Sequence, residues 1–509
     1  MPDILLINPH RLIPKGLSVT QVSSPPLGLA YIAAICETEG FAVEVFDAIA
    51  EAPDTYYAFE NNSDMVVHGA EFNQFFDRYA GRRFDMIGLT VMFSNNWLVN
   101  RKFINEIKRR FPHSLIIAGG EHVTALPEFC LDDCDGLDLI VTGEGENTMR
   151  EICENIKNNI PLDGMDGIYY KDRMRQEIIF NNRRKREYEI GIFPMPAWHV
   201  FPLQKYFDTN ASYGVTTERS LPIFATRGCP YSCTFCSSPQ MWGTKYLLRD
   251  HMDVIAEIRF LQKNYKVVNF DFYDLTAIIK KEWMLNFCNE ILASGLQITF
   301  QMPAGTRAEA IDEEVASLLY KSGCKYITYA PESGSVRMLK IIKKKVNLDK
   351  MLKSISYSHK AGMSVKLNMI MGFPDERISD ILATWKFLIK CSYYGVEDTA
   401  PAFFSPYPGS ELFNQLFKEN EIQLNDDYFA SLVESESTRG FRSYNKHIHK
   451  KVLVVIGVLN YLIFYTSNFL FNPLRLLKLI RALVTGRFYS RGTYVLLNIL
   501  RRQKLMQGK

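Results

Sequence analysis

The chain has 509 residues, 47% of them hydrophobic, and a net charge of only +3. This length and an ordinary globular composition predict two or three domains, each with its own core, which do not need disulfide staples. The ten cysteines therefore indicate a reducing cytosol. The first nine residues predict a buried strand rather than a signal peptide.

Short apolar strands alternate with amphipathic helices in the first part of the chain. Strands are predicted over residues 3–8, 42–46, 84–92, 114–119 and 137–142, with helices over 27–39 and 101–111 and from 147 onward. This alternation predicts a doubly wound parallel sheet over residues 1–160, whose ligands bind at the carboxyl ends of the strands. The loops at that edge are residues 8–26, 90–96, 119–124 and 143–146.

Residues 161–220 are mixed and charged, and we interpret them as a linker. A second alternating region spans residues 221–436, with strands predicted over 222–226, 267–272, 297–301, 326–329 and 364–371 and helices over 254–263, 282–294, 313–322, 348–361 and 378–390. About six βα units of this kind predict a partial or full parallel barrel, so the fold class is α/β.

Three cysteines follow the first strand of this second region in C-x3-C-x2-C spacing: Cys229, Cys233 and Cys236. Thiolates so spaced wrap one face of a [4Fe–4S] cubane and leave its fourth iron open to a substrate. A zinc site or buried structural thiols are the alternative. Zinc sites usually consist of paired C-x2-C knuckles, however, and this chain has no second pair.

This motif resembles the radical S-adenosylmethionine superfamily, and the resemblance covers most of residues 221–405. It implies that S-adenosylmethionine binds the open iron and is cleaved reductively to a 5′-deoxyadenosyl radical, with an electron donor such as flavodoxin or ferredoxin. The segments FDFYD, TRAEAIDEEV, PESG and GFPDE also resemble the family. The residues thereby implied in binding S-adenosylmethionine are Phe235, Asp274, Arg307, Glu332, Ser333 and Gly372. A helix cap, a surface ion pair and a loop carboxylate are the plain structural alternatives for Asp274, Arg307 and Glu332.

The first region resembles the cobalamin-binding domains that are fused to radical enzymes, through SPPLGLAY, AGGEHVT and GEGE. The residues thereby implied in binding cobalamin are Asn8, Pro26, Gly28, Thr90, Ser94, Gly119, Gly120, His122, Glu144 and Gly145. A domain without a cofactor, or with another nucleotide, remains the alternative. The D-x-H-x-x-G motif of classical cobalamin domains is absent, so the resemblance implies cobalt without a histidine ligand, above loop 90–96.

The last segment, residues 437–509, carries fourteen Lys and Arg and no acidic residue, which leaves a charge of −11 on residues 1–436. Its apolar run 452–471 is about long enough to cross a bilayer, and a basic amphipathic stretch follows. We expect peripheral or monotopic attachment of a cytoplasmic protein to the anionic inner membrane face. The alternative is a core helix that caps the barrel, and nucleic acid is not an expected partner.

The two resemblances together imply a cobalamin-dependent radical enzyme that modifies an unactivated carbon, with C-methylation as the leading reaction. The tail favours an apolar small-molecule substrate such as an isoprenoid, a lipid or a tetrapyrrole. A radical oxidative cyclase or rearrangement enzyme, a methylthiotransferase acting on a macromolecule, and a non-catalytic cobalamin or iron–sulfur sensor remain alternatives. Beyond the cluster, the sequence assigns no catalytic residue.

Overall fold

The computed structural model describes residues 3–15, 24–60, 62–172, 174–175, 177–209, 218–277, 279–435, 440–486, 492–493 and 497. Part of the predicted loop 8–26, the boundary at Glu436 and most of the tail beyond residue 486 lie outside these residues. The strands are β1 Asp3–Asn8, β2 Arg11–Pro14, β3 Ala42–Asp47, β4 Tyr56–Phe59, β5 Asn62–His68, β6 Met86–Thr90, β7 Leu115–Gly119, β8 Leu139–Val141, β9 Ile168–Asp172, β10 Glu177–Phe180, β11 Ser220–Ile223, β12 Thr226–Arg227, β13 Leu247–Leu248, β14 Asn269–Phe272, β15 Thr299–Thr306, β16 Cys324–Glu332, β17 Ser364–Met371 and β18 Asp398–Phe403.

The helices lie between these strands and after the last of them. They are α1 Leu27–Thr38, α2 Ala48–Glu51, α3 Phe72–Arg78, α4 Trp97–Arg110, α5 Glu121–Ala125, α6 Pro127–Asp133, α7 Glu146–Lys157, α8 Leu203–Asp208, α9 Ser238–Trp242, α10 His251–Tyr265, α11 Lys281–Ala293, α12 Glu313–Lys321, α13 Val336–Ile341, α14 Leu348–Ala361, α15 Ile378–Tyr394, α16 Glu411–Lys418, α17 Asp426–Glu434, α18 Lys450–Phe471 and α19 Pro473–Thr485. Short 3-10 helices add Ser94–Asn96, Trp198–Val200 and Ala308–Ala310.

The first sheet has the strand order β10-β9-β8-β7-β6-β1-β3 in the described part of the chain. Strands β3, β1, β6, β7 and β8 run parallel, which confirms the predicted parallel α/β sheet. Strands β9 and β10 extend it antiparallel. Part of the stretch that we interpreted as a linker therefore belongs to this sheet. Both strands are only half-buried, so they contain charged residues and lack the continuous apolar run from which we predicted the other strands.

The second sheet is an open parallel barrel of six strands, in the order β11-β14-β15-β16-β17-β18. The prediction of a partial barrel with about six units is confirmed, and every neighbouring pair runs parallel. The carboxyl ends of these strands therefore meet at one edge, where the cysteine motif follows β11.

One hydrophobic core continues from the first sheet into the barrel. The ring of Tyr31 in α1 lies 5.1 Å from the ring of Phe224, just after β11. The amide of Ala197 donates to the carbonyl of Ala30 at 3.0 Å. The ring contact joins α1 to the end of β11, close to the cysteine motif, and the hydrogen bond ties the connecting stretch to α1.

Helix α18 packs along α15 through both apolar and polar side chains. Trp385 donates to Asn460 Oδ1 at 2.5 Å, and Asn468 donates to the carbonyl of Val396 at 2.6 Å. Both asparagines are buried, whereas much of the apolar surface of the helix faces outward. The buried side of α18 also includes Leu453, Ile456 and Phe464, so apolar residues lie on both sides of this helix.

Candidate functional site

The cysteine motif forms a loop that backbone hydrogen bonds hold at two points. The amide of Thr234 donates to the carbonyl of Ile342 at 3.1 Å, and the carbonyl of Thr234 accepts from the amide of Leu412 at 2.8 Å. Gly228 begins the loop with φ of +81°, and a Cβ there would lie 2.5 Å from the carbonyl oxygen of Lys245. Only glycine fits that position, so the turn into Cys229 depends on it.

The donor set fits an iron–sulfur cluster better than a single metal ion. All ten cysteines are free, and Cys229, Cys233 and Cys236 are partly exposed whereas the other seven are buried. Among the described residues, no three His, Cys, Asp or Glu side chains converge as the ligands of one ion would. In a cubane each thiolate binds its own iron, so the thiols need not converge. The buried cysteines offer no second cluster site.

A lysine that the sequence analysis missed lies beside these thiols. Lys344 donates to Glu332 Oε1 at 2.9 Å, and its ammonium lies 5.9 Å from the centre of the Phe235 ring. Burial alone would lower the pKa of Lys344, but Glu332 and the neighbouring Cys233 together raise the pKa above its ordinary value. Burial also raises the pKa of Cys233 to about 11, and the nearby Lys344 charge opposes that rise.

Glu332 adopts a backbone conformation that is unusual for its residue type. Its φ is +68°, in the left-handed region, at the carboxyl end of β16. Such strain costs about 1–3 kcal/mol and is concentrated at functional sites. The strained backbone and the ion pair together hold the Glu332 carboxylate beside the cysteine loop.

Other residues predicted to bind S-adenosylmethionine surround the same loop. The guanidinium of Arg307 lies 4.0 Å from the centre of the Tyr231 ring, inside the motif. Phe235 contacts Phe373, next to Gly372, with ring centres 5.7 Å apart. Ser333 lies deeper, where its hydroxyl is 3.3 Å from that of Thr384.

Asp274 supports the segment that leads into the motif. Its carboxylate accepts from the amide of Ala225 at 3.1 Å, and burial raises its pKa to about 7. The structure thus places Asp274 behind the loop, with its carboxylate turned toward backbone rather than toward the thiols.

The glycine turn that contains Gly372 holds a buried carboxyl group with an expected effect on stability. Burial raises the pKa of Glu376 from 4.5 to about 8, although its carboxylate accepts from the amide of Gly372 at 2.5 Å. The folded state therefore keeps a proton that the unfolded chain releases. The protonated Glu376 therefore contributes to the stability of the folded state. This stabilisation is fully present below pH 4.5 and is lost as the pH rises through 8.

We expect Glu376→Gln to remove this dependence. Above pH 8, the free energy of unfolding of the variant should exceed that of the wild type by on the order of a few kcal/mol, and the variant should unfold at a higher temperature. This difference should disappear toward pH 4.5. Thermal unfolding measured across this pH range checks it, with the exposed Glu313→Gln as the control. A constant difference at all pH values would contradict the prediction.

The strand ends of the first sheet form a rim that fits a large ligand with an apolar face. Phe93, just after β6, is 59% exposed, and Met92 beside it is also exposed. A Cβ on Gly28 would meet nothing within 4 Å, so the start of α1 is open. Gly120 has φ of +127° and would place a Cβ 2.7 Å from the carbonyl oxygen of Val91, so this turn requires glycine to close against β6. The open, partly apolar rim fits a corrin ring.

Several residues predicted to bind cobalamin have protein partners instead of open space. His122 is buried, with Nδ1 2.9 Å from Ser94 Oγ and Nε2 3.5 Å from Cys130 Sγ. Burial lowers the pKa of His122 to about 3, so the ring is neutral. Asn8 donates to Asp47 at 3.0 Å. Of the other residues that we predicted, Thr90 and Gly119 end β6 and β7, and Gly120 and Gly145 lie in the turns before α5 and α7. Pro26 and Gly28 lie at the start of α1.

Glu144 takes part in a contact between the two halves of the molecule. It accepts from Arg186 Nε at 2.8 Å and pairs with Arg227 at 3.3 Å, while Arg227 also pairs with Glu146. On the other side of the motif, Ser237 donates to Glu121. None of these partners could be read from the sequence, because they lie at least 42 residues apart in the chain.

Two family models match the chain over the regions described above. Residues 16–153 match the model described as B12 binding domain, and residues 223–388 match the Radical SAM superfamily. The first match includes strands β3 to β8 with the turns of the rim, and the second includes the cysteine loop and strands β12 to β17.

Curated relatives and solved structures extend this similarity over most of the chain. The cytidylyl-2-hydroxyethylphosphonate methyltransferase of Streptomyces wedmorensis is 28% identical over 427 residues, 78% of each chain. The anaerobic magnesium-protoporphyrin IX monomethyl ester cyclase of Rubrivivax gelatinosus is 22% identical and covers 78% of this chain and 67% of its own length. The radical S-adenosylmethionine methyltransferase TsrM of Kitasatospora setae, solved with cobalamin and a [4Fe–4S] cluster bound, is 17% identical. It superposes with a TM-score of 0.63 over 82% of this chain and 78% of its own.

Proposed function

We propose that this chain, which belongs to the radical S-adenosylmethionine enzymes that carry a B12-binding domain, methylates an unactivated carbon of a small-molecule substrate. When bound, the cluster supplies the electron that cleaves S-adenosylmethionine, and cobalamin supplies the methyl-transfer chemistry. The protein's own part is to hold the two cofactors, orient the substrate and exclude water.

The observation that carries this proposal is the contact between the two cofactor-binding regions. The rim of the first sheet and the cysteine loop meet through Glu121 with Ser237 and through Arg227 with Glu144 and Glu146. A methyl donor held at the rim would therefore face the same space as a radical generated beside the loop. The relative from Streptomyces wedmorensis, a methyltransferase by name, supports the same reaction class.

Residues around the loop have roles that follow from their contacts. Lys344 offers a positive charge beside Cys233, where the carboxylate of S-adenosylmethionine needs a partner. The Phe235 ring offers an apolar face for the adenine. Arg307 holds the Tyr231 side of the loop, and Asp274 holds the segment before it.

Product analysis under anaerobic, reducing conditions tests the reaction. With a cluster-reconstituted, cobalamin-loaded enzyme, we expect both S-adenosylhomocysteine and 5′-deoxyadenosine, and transfer of the deuterated methyl group from methyl-labelled S-adenosylmethionine to the small-molecule substrate. Formation of 5′-deoxyadenosine alone would refute methylation. It would favour the second candidate, a radical oxidative cyclase, for which the similarity to the cyclase of Rubrivivax gelatinosus is the specific support.

We also propose that α18 and α19 lie on an anionic membrane surface and that the substrate is apolar. Helix α18 is long and apolar enough to cross a membrane, and it is the one such helix in the described residues, but a third of its most apolar window, 33%, is buried in the protein. Its buried Asn460 and Asn468 bond to the barrel. A helix bonded to protein along one side favours attachment to the surface over a span.

The outward face of α19 supports this attachment. Leu474 is 70% exposed and Val484 is 82% exposed, with Lys478 and Arg481 between them. Exposed apolar surface of this extent is unusual in water. The absence of acidic residues beyond Glu436 matches an anionic lipid surface on the cytosolic side.

Co-flotation with vesicles tests the attachment. The full chain should float with phosphatidylglycerol vesicles and not with phosphatidylcholine vesicles, and a Leu474→Asn, Leu477→Asn double variant should lose most of this binding. Ile192→Asn with Met174→Asn is the matched control, because both side chains are exposed and apolar but lie elsewhere. The proposed attachment is refuted if the full chain does not float with phosphatidylglycerol vesicles, or if the double variant floats with them as well as the full chain does.

A further inference from the structure

The cysteine motif is held at both of its outer ends by carboxylates of the first domain. Arg227 lies two residues before Cys229, and Ser237 directly follows Cys236. Arg227 pairs with Glu144 and Glu146, and Ser237 donates to Glu121. We call these residues, with Arg186, the seam network. Its glutamates come from the two strand-end turns that carry Gly120 and Gly145.

The centre of the seam network is buried and balanced in charge. The side chain of Arg227 is almost fully buried, and its guanidinium lies 4.6 Å from the centre of the Phe224 ring and 5.7 Å from that of Tyr31. Two arginines face two glutamates, because Arg186 also pairs with Glu144. A buried charge requires its partners, so displacement of Arg227 would leave the buried carboxylate of Glu146 without this partner, whereas Glu144 would keep Arg186.

Arg186 brings the network onto the backbone of the cysteine loop. It donates to the carbonyl of Lys245 at 2.6 Å, and a Cβ on Gly228 would lie 3.0 Å from Arg186 Nη1. The guanidinium therefore rests against the residue that precedes Cys229. A movement of the first ligand displaces Arg186 and, through it, Glu144.

The two turns of the first domain are also joined to each other. The amide of Gly143 donates to Thr124 Oγ1 at 3.0 Å. The turn that holds Glu121 and the turn that holds Glu144 and Glu146 therefore move together. Both lie at the rim that fits cobalamin.

We infer that the seam network couples the two cofactor sites energetically, so that an assembled cluster tightens the binding of cobalamin and bound cobalamin alters the cluster. Cluster assembly fixes Cys229 and Cys236, which fixes Arg227 and Ser237. These residues then order the glutamates at the rim before cobalamin arrives. Arg227 and Ser237 are positioning residues in this scheme, and reciprocity follows from linkage.

Equilibrium binding of hydroxocobalamin to the full chain tests the coupling. The dissociation constant is measured with the cluster reconstituted and without it. We expect the cluster to tighten binding by about 5-fold or more in the wild type, within the usual range for coupled sites. In Glu146→Gln and in Ser237→Ala, this ratio should fall to about one. Ser237→Ala removes a single hydrogen bond at a half-buried site. It therefore still tests the coupling if Glu146→Gln folds poorly.

Glu257→Gln is the matched control. Glu257 forms a buried pair with Arg249 at 2.6 Å, but both partners belong to the barrel region. This variant should lower stability and keep the wild-type ratio. A second readout is the electron paramagnetic resonance spectrum of the reduced cluster, which cobalamin should change in the wild type and in Glu257→Gln but not in the seam variants.

A wild-type ratio of one, or a ratio that both seam variants preserve, would overturn the inference. Neither readout requires methyl transfer. Failure of the coupling is therefore distinguishable from failure of the proposed methylation.

Discussion

Replacement of Cys233 by alanine is expected to remove the cluster and abolish formation of 5′-deoxyadenosine. The three thiols of the motif are the partly exposed cysteines of this chain, and the other seven are buried in the cores. With one thiolate lost, two remain, which is too few to hold a cubane. Iron and sulfide per chain after anaerobic reconstitution, together with the adenosine products, measure the loss.

Cys288→Ala is the control for this experiment. Cys288 is a fully buried thiol in α11, within the apolar core of the barrel. Its replacement should cost some stability but leave about four irons per chain. A Cys233→Ala protein that retains the full cluster would contradict the assignment of the three ligands.

Replacement of Lys344 by methionine is expected to have the largest effect on stability and to weaken the binding of S-adenosylmethionine. The side chains of Lys344 and Glu332 are only 15% and 9% exposed. Removal of one partner from a buried pair leaves an uncompensated charge and costs about 3–5 kcal/mol. Glu332 would then stand unpaired beside Cys233, on an already strained backbone.

The adjacent Lys343→Met provides a matched control. Lys343 pairs with Glu411 at 2.6 Å, but its side chain is 53% exposed, and a surface pair of this kind contributes about 0–1 kcal/mol. Chemical denaturation and the dissociation constant for S-adenosylmethionine should separate the two variants. If Lys343→Met and Lys344→Met lost equal stability and equal affinity for S-adenosylmethionine, the prediction that burial makes the Lys344 pair more important would be wrong.

The repeating units of the barrel could be predicted from the sequence where local signals agree. Helix α14 has the predicted bounds, because Asn347 caps its start through the amide of Lys350 and Gly362 ends it at φ of +106°. Strand β17 also has the predicted bounds. In both segments, residue type, capping and periodicity indicate the same element.

Other elements lacked such signals. Strand β18 has the sequence DTAPAF, in which an acidic residue and a proline hide the strand because β18 lies at an edge of the barrel. The sheet formed by β2, β5 and β4 escaped prediction as well. Strands β2 and β4 have only 4 residues each, and β5 begins with the polar residues Asn62, Ser63 and Asp64.

The side-chain partners in the site depend on the fold. Lys344 lies in a run of three lysines that resembles a solvated surface segment. The turn after α13, where Lys343 has φ of +53°, sends one lysine inward and its neighbour outward. No local pattern distinguishes the two residues, and the same holds for Arg227 with its distant glutamates.

The barrel never closes on itself, since β11 and β18 are the two outer strands of its sheet in the described residues. Helix α18 covers the flank at β18, where its Gly457 lies against the ring of Phe403. The three cysteines lie at the opposite flank, because they follow β11. Sequence changes in α18 would therefore alter one flank of the barrel without touching the strand end that carries the three cysteines.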